Sequence, residues 1–239
     1  LAGGVMRWGL DRRIALVVMS FVGTTPKRMV FGLMLTTTFL SAFMSNTATA
    51  AMMVPVAMAL ITLVHSTKKS GDPDAATHEH NFSLCILLAL AYGASIGGMA
   101  TLIGSPPNGI YMRFMEQTYG QVVSIASWMK VGVPVTLLLF IVSFFVLTGL
   151  MFRNMGGSVP GGKEWVRNEL RSMGKLSTGE KAVGLCFLIA AVLWFSGAQL
   201  RGINIDGWQP FKYLTDAVIA MGMGIVPFLI PVDRKGTMA

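Results

Sequence analysis

Charge is what this chain has least of. Only 13% of its 239 residues are charged against 53% hydrophobic, and the mean hydropathy is +0.62. A soluble domain carries roughly 25% charge, so the composition excludes one and reads as an all-α polytopic membrane protein. Cysteine is scarce too. Cys85 and Cys186 each lie inside an apolar run, which excludes a disulfide framework and leaves two ordinary lipid-facing or core thiols. Acids are outnumbered, 11 to 19, for a formal charge of +8. The cations gather at helix ends and in short loops, without the basic face or recognition motif of a nucleic-acid binder, so no nucleic-acid partner is expected. Catalytic constellations are missing as well: the apolar runs hold no Ser/His/Asp or Cys/His pairing, paired carboxylates, phosphate loop or metal-protease helix at usable spacing. No enzyme chemistry is expected. His78-Glu79-His80 is poorly spaced for one helical face and, with His65, reads as solvated loop rather than a metal site. The 18 methionines read as packing and lipid-facing side chains.

What the chain does have is long apolar runs, near residues 29–64, 82–112, 127–152, 182–200 and 213–232. A helix crosses ~30 Å of hydrocarbon in ~20 residues, so most of these are single spans and the first has room for two helices. Residues 5–25 set Arg7, Asp11, Arg12 and Arg13 against Leu10, Ile14, Leu16 and Val17, a pattern too charged to span and suited to an interfacial helix. Gly23-Thr24-Thr25-Pro26 stops it. The chain opens at Leu1 with neither an initiator Met nor a charged region ahead of an apolar core, which reads as an internal piece without a signal peptide. Basic residues concentrate in 153–178 (Arg153, Lys163, Arg167, Arg171, Lys175), and Lys68 and Lys69 lie in 66–80, while the 113–126 and 201–212 connections hold few. By the positive-inside rule the 66–80 and 153–178 loops and both termini are expected to be cytoplasmic.

Two segments break the hydrocarbon pattern. Ser45-Asn46-Thr47 interrupts the first run, and Ser95-Ile96-Gly97-Gly98-Met99-Ala100-Thr101-Leu102-Ile103-Gly104-Ser105-Pro106-Pro107-Asn108 interrupts the second. Unpaired backbone at membrane depth costs several kcal/mol unless it is buried in protein or lines a cavity. The first run is either two full spans meeting in a water-exposed turn or a re-entrant hairpin. Charge placement fits both, but the small, uncharged, oxygen-rich stretch from Ser41 to Ala50 favours the hairpin. In the second run Gly104, Pro106, Pro107 and Asn108 mark a broken helix, because two prolines remove donors and clash with the preceding turn.

Ser41 and Ser45 stand four residues apart, one helical turn, with Asn46 following. Hydroxyls, an amide and free helix-end carbonyls are the ligands a hard cation takes. Thr47 and Thr49 fall at the start of the next helix, whose free amides favour an anion. Gly97 and Gly98 allow close backbone approach and expose carbonyls, and Thr101, Ser105 and Asn108 add oxygen. The competing reading is structural: small polar residues mediate close helix packing in membranes, and prolines kink helices. No Lys, Arg, Asp or Glu lies in either break, so an anionic substrate there would need its charge offset by bound cations.

The stretches Ser45–Met53 with Pro55, and Ala94–Asn108, resemble the signatures of the divalent anion/sodium symporter family, the INDY-type di- and tricarboxylate transporters. The resemblance runs end to end but covers about half of such a transporter, with one copy of a hairpin and broken helix that the family repeats in inverted orientation. It implies a fragment of an inverted-repeat elevator transporter in the cytoplasmic membrane, with sodium as coupling ion, no other cofactor, and a homodimeric full-length parent. Sodium would be bound by Ser41, Ser45 and Asn46 with the backbone at Gly97 and Gly98, and a carboxylate substrate of the succinate, malate or fumarate type by Asn46, Thr47 and Thr101. The resemblance implies domains at 1–26 (interfacial connector), 27–152 (half of a transport domain: hairpin 27–65, broken helix 81–112, span 127–152), 153–178 (cytoplasmic loop) and 179–239 (start of the second repeat's scaffold). Sodium-independent exchange and a non-transporting structural half are the alternatives.

Overall fold

The computed structural model describes residues 2–66, 74–157, 159–202, 204, 209–211 and 213–230, and among these every regular element is helical. Two short helices, α1 (Ala2–Trp8) and α2 (Leu10–Val22), are separated at Gly9, whose φ of 68° is the left-handed conformation that glycine tolerates best. Gly23 closes α2 by donating its N–H to the Met19 carbonyl at 2.9 Å, and α3 (Pro26–Ser41) starts at once, with proline in its first turn where no amide is missed. A four-residue turn, 42–45, then leads back into α4 (Asn46–Ser66). The second break divides α5 (Ala75–Gly97) from α6 (Pro106–Tyr119). After it come α7 (Ile125–Phe145), which continues through a π-helical turn at Val146–Met151, α8 (Gly162–Ser172), α9 (Thr178–Arg201) and α10 (Asp216–Ile225) with a 3-10 turn at Val226–Leu229.

Helix α3 is the centre of the bundle. Its Met29, Val30, Leu33 and Met34 are fully buried among Leu16 and Met19 of α2, Met53, Ala57 and Leu60 of α4, and Phe82, Cys85, Ile86 and Ala89 of α5. At 16 residues it is about 24 Å long, short of the ~30 Å hydrocarbon thickness, whereas the 21-residue α4 that follows the turn is long enough to cross. Four helices, Asn46–Ser66, Ala75–Gly97, Ile125–Met151 and Thr178–Gly197, are long and apolar enough to cross. Their outward faces carry exposed Leu137, Leu138, Ile141, Leu185, Leu188 and Val192, the surface that lipid rather than water would cover.

Several boundaries differ from the sequence expectation. Of the 66–80 loop, residues 67–73 lie outside the described residues, and from Ala75 the chain is already helical, so His78 and His80 sit on α5. The loop at 153–178 contains α8, and α6 runs on to Tyr119 rather than stopping near 112. In each case polarity marks where the hydrocarbon ends, whereas the backbone pattern continues into the interface. The 213–232 run gives only a 10-residue helix and a 3-10 turn, less than a crossing needs; residues 231 and 232 lie outside the described residues.

Candidate functional site

The turn joining α3 to α4 docks against the break joining α5 to α6. Close approach is set by glycine. A methyl group at Gly97 would lie 2.2 Å from the Thr38 carbonyl oxygen and 2.8 Å from the Thr38 Cα, so the α3 and α5 backbones are in direct contact there. One turn earlier, a methyl at Gly93 would come within 3.0 Å of the Met34 carbonyl oxygen. Gly93 and Gly97 form a G-x-x-x-G pair, the spacing that lets membrane helices pack backbone to backbone. Sequence reasoning missed Gly93 although this spacing was there to be read.

Polar bonds then lock the turn to the break. Ser41, the last residue of α3, is fully buried and donates its hydroxyl to the Ala94 carbonyl at 2.6 Å. Thr101 is turned into the protein: its hydroxyl donates to the Ala42 carbonyl and accepts the N–H groups of Ile103 and Gly104 at 3.2 and 3.3 Å. Asn108, buried in the first turn of α6, donates to the carbonyls of Gly98 and Thr101, both at 2.8 Å. Pro106 and Pro107 occupy the α6 N-terminus, where their missing amides cost nothing. From α7, Trp128 donates to the Met99 carbonyl at 2.9 Å and Thr136 to that of Ile96 at 3.3 Å. A methyl at Gly132 would stand 2.8 Å from the Met99 carbonyl oxygen, so α7 supports the break from behind. Nothing in the sequence pattern pointed to these α7 residues.

Asn46, the first residue of α4, stands at the centre. Its terminal amide lies 2.9 Å from Ser41 Oγ, 3.1 Å from the Ala94 carbonyl oxygen and 3.3 Å from that of Gly104. With nitrogen turned toward them its two N–H groups have all three as acceptors within reach. With Oδ1 turned toward them four oxygens converge, an arrangement that a cation would stabilise. Gly98 packs directly on this amide, since a methyl there would meet Oδ1 at 2.2 Å. A methyl at Gly104 would meet the carbonyl oxygens of Gly98 and Ser41 at 2.7 and 2.8 Å, so two further acceptors border the cluster.

Ser41 and Ser45 do different jobs. Helix α3 ends at Ser41, and Ser45 lies beyond the turn, exposed, where its hydroxyl accepts the Ala48 N–H at 3.3 Å as the N-cap of α4. Thr47 is exposed beside it, and the amides of Asn46 and Thr47 have no acceptor among the described residues. Thr38 and Thr49 keep buried hydroxyls without a partner there. The structure therefore brings together Ser41, Asn46, Gly97, Gly98, Thr101, Gly104 and Asn108, and leaves Ser45 and Thr47 at the rim. A cavity of about 770 Å³ between α6 and α7 touches the break through Met99 and Asn108, yet neither Asn46 nor Thr47 lines it.

The profile described as the sodium:sulfate symporter transmembrane region matches residues 1–232. The chain belongs to that family. This symporter-family chain is 34% identical over 237 residues to the sodium-dependent dicarboxylate transporter SdcS of Staphylococcus saprophyticus, covering 98% of its own length and 44% of the relative's. It is 32% identical over 231 residues to the protein of the same name from Staphylococcus aureus, covering 97% and 43%. The chain thus spans less than half the length of these relatives. Family membership and the apolar helices make it a multi-pass membrane protein of a transporter family, not of an enzyme family.

Proposed function

We propose that this symporter-family chain is the part of a sodium-coupled carrier of di- and tricarboxylates that holds one cation site and one face of the substrate site. The observation that carries the reading is the ring of oxygens around the Asn46 amide, Ser41 Oγ with the carbonyls of Ala94 and Gly104. A sodium ion there would draw Oδ1 inward and leave the amide nitrogen to turn outward. Backbone at Gly97 and Gly98 would close the cage, and Ser45 would join it by exchanging its capping bond for the ion. The free amides of Asn46 and Thr47 and the positive dipole end of the 21-residue α4 would meet a substrate carboxylate. Cation and anion would then lie on opposite sides of one residue, so each favours the other. Thr101 serves this site by fixing the turn, its hydroxyl being already engaged with Ala42.

On this reading residues 1–26 connect along the interface, 27–152 move as half of a transport domain, 153–178 form a cytoplasmic loop and 179–239 begin a second scaffold. The carrier works as a homodimer by an elevator movement of the moving unit. The experiment is uptake of labelled succinate by proteoliposomes holding the carrier that contains this chain. Uptake should require an inward sodium gradient and be abolished by Asn46→Ala. Exchange that ignores the gradient would leave a sodium-independent exchanger, no uptake at all a structural role, and unchanged uptake in Asn46→Ala would remove the site.

A further inference from the structure

Where α2 ends and α8 lies against it, the molecule has a groove of about 590 Å³ that the transport reading does not use. Its floor is apolar, Met19 of α2 with Val166 and Leu170 of α8. Its rim is basic: Lys163, Arg167 and Arg171 repeat every four residues along one stripe of α8, and Lys175 extends the row. A second hollow of about 350 Å³ shares Thr24 and Lys163 with the first and adds Thr25, Arg28 and the α8 N-terminus at Gly162. None of these five cations has an acidic partner among the described residues, whereas nearby Arg12 and Arg13 are paired with Glu169 and Glu180. Among the described residues the only carboxylate lining either hollow is Glu164, at the edge of the smaller.

Both walls of the groove lead into the bilayer. Past Gly23 and Thr24 the chain enters α3 at Pro26, and past Lys175 it enters the spanning part of α9 at Thr178. Phe21, 85% exposed, projects from the α2 wall as an interfacial aromatic would. Unpaired cations over an apolar floor, at the depth where two helices meet the headgroups, match a molecule with a phosphate and hydrocarbon attached to it. We propose that this groove binds the headgroup of an anionic phospholipid, its phosphodiester between Arg167, Arg171 and Lys163 and its glycerol and upper acyl chain on Met19, Val166 and Leu170. A topological excess of positive charge would account for the cations being on one membrane face, but not for their convergence, unpaired, on a hollow with an apolar floor.

The test is native mass spectrometry of the full chain released from micelles containing equimolar phosphatidylglycerol and phosphatidylcholine of identical chains. The unmodified chain should retain phosphatidylglycerol in clear preference. Each cation removed should lower that preference about fivefold, so Arg167→Gln with Arg171→Gln lowers it about twenty-five-fold. Arg113→Gln with Lys130→Gln, an equal charge loss outside the groove, should leave it unchanged, and circular dichroism would show both pairs to be equally helical. Equal retention of the two lipids, or the same preference in the Arg167/Arg171 variant, would overturn the proposal. Displacement of the lipid by millimolar inorganic phosphate would also overturn it, since the site would then take a soluble anion.

Discussion

Two junctions hold this molecule together by opposite means. Where the α3–α4 turn meets the α5–α6 break, contact is uncharged: glycine brings backbones to touching distance, and hydroxyls and amides bond carbonyls. Where α2 meets α8 and the start of α9, contact is ionic. Arg13 Nε donates to Glu180 Oε1 at 2.6 Å, its guanidinium also bonds the carbonyls of Met173 and Gly174, and Glu180 Oε2 accepts the Ser177 N–H at 2.7 Å in a capping box. The difference fits the depths that the proposed function assigns to the two junctions. At the membrane face water and headgroups share the cost of ionisation, whereas within hydrocarbon an ion is expensive and shape must supply the specificity. The uncharged junction is also the one where the proposed cation would sit, because no fixed charge already occupies it.

The comparison breaks first at Gly97. Gly97→Ala drives a methyl into the backbone of Thr38, which no rotamer change relieves, so the hairpin must part from α5. A loss of about 3 kcal/mol or more is expected, read as a large fall in thermal midpoint by fluorescence-detected size exclusion. Gly98→Ala instead meets the Asn46 side chain, which can swing away; its main effect should be on sodium dependence rather than on unfolding. Next comes the ionic junction. Arg13→Gln leaves Glu180, whose side chain is 4% exposed, without its counter-ion, and should cost about 3 kcal/mol in the same assay. Arg12→Gln breaks a pair whose arginine is 52% exposed and should cost less than about 1 kcal/mol. If the two arginine variants fell equally, burial would not be what distinguishes them.

The helix–turn–helix of α3 and α4, the broken helix and the apolar spans other than 213–232 were legible because composition and prolines report directly on backbone requirements in lipid. So was Asn46, where a polar side chain in an apolar run needs an explanation. The boundaries at Ala75, Gly162 and Tyr119 were not, since a helix that leaves the hydrocarbon loses its apolar signature without ending. The division of labour between Ser41 and Ser45 was hidden by their one-turn spacing, which suggested a shared face that the end of α3 removes. Trp128 and Thr136 were illegible for another reason. Each meets a carbonyl at the far side of the break, 29 and 40 residues away in sequence, and only tertiary packing reveals such a partner.

Within the uncharged junction, Thr101→Val and Thr136→Val should separate an anchor from a buttress. Thr101 serves three backbone groups, and its loss leaves the Ala42 carbonyl and two amides unsatisfied in a buried site. About 2 kcal/mol and a loosened hairpin turn are expected, detectable as faster hydrogen exchange over residues 42–45. Thr136 makes a single 3.3 Å bond to a carbonyl already at the end of a helix, so its valine replacement should cost only about 0.6 kcal/mol, the usual worth of an interhelical hydrogen bond in lipid, and leave that exchange unchanged. Equal effects would mean that α7, rather than Thr101, fixes the turn. The break would then be held from behind, and Thr101 would be free to face a substrate.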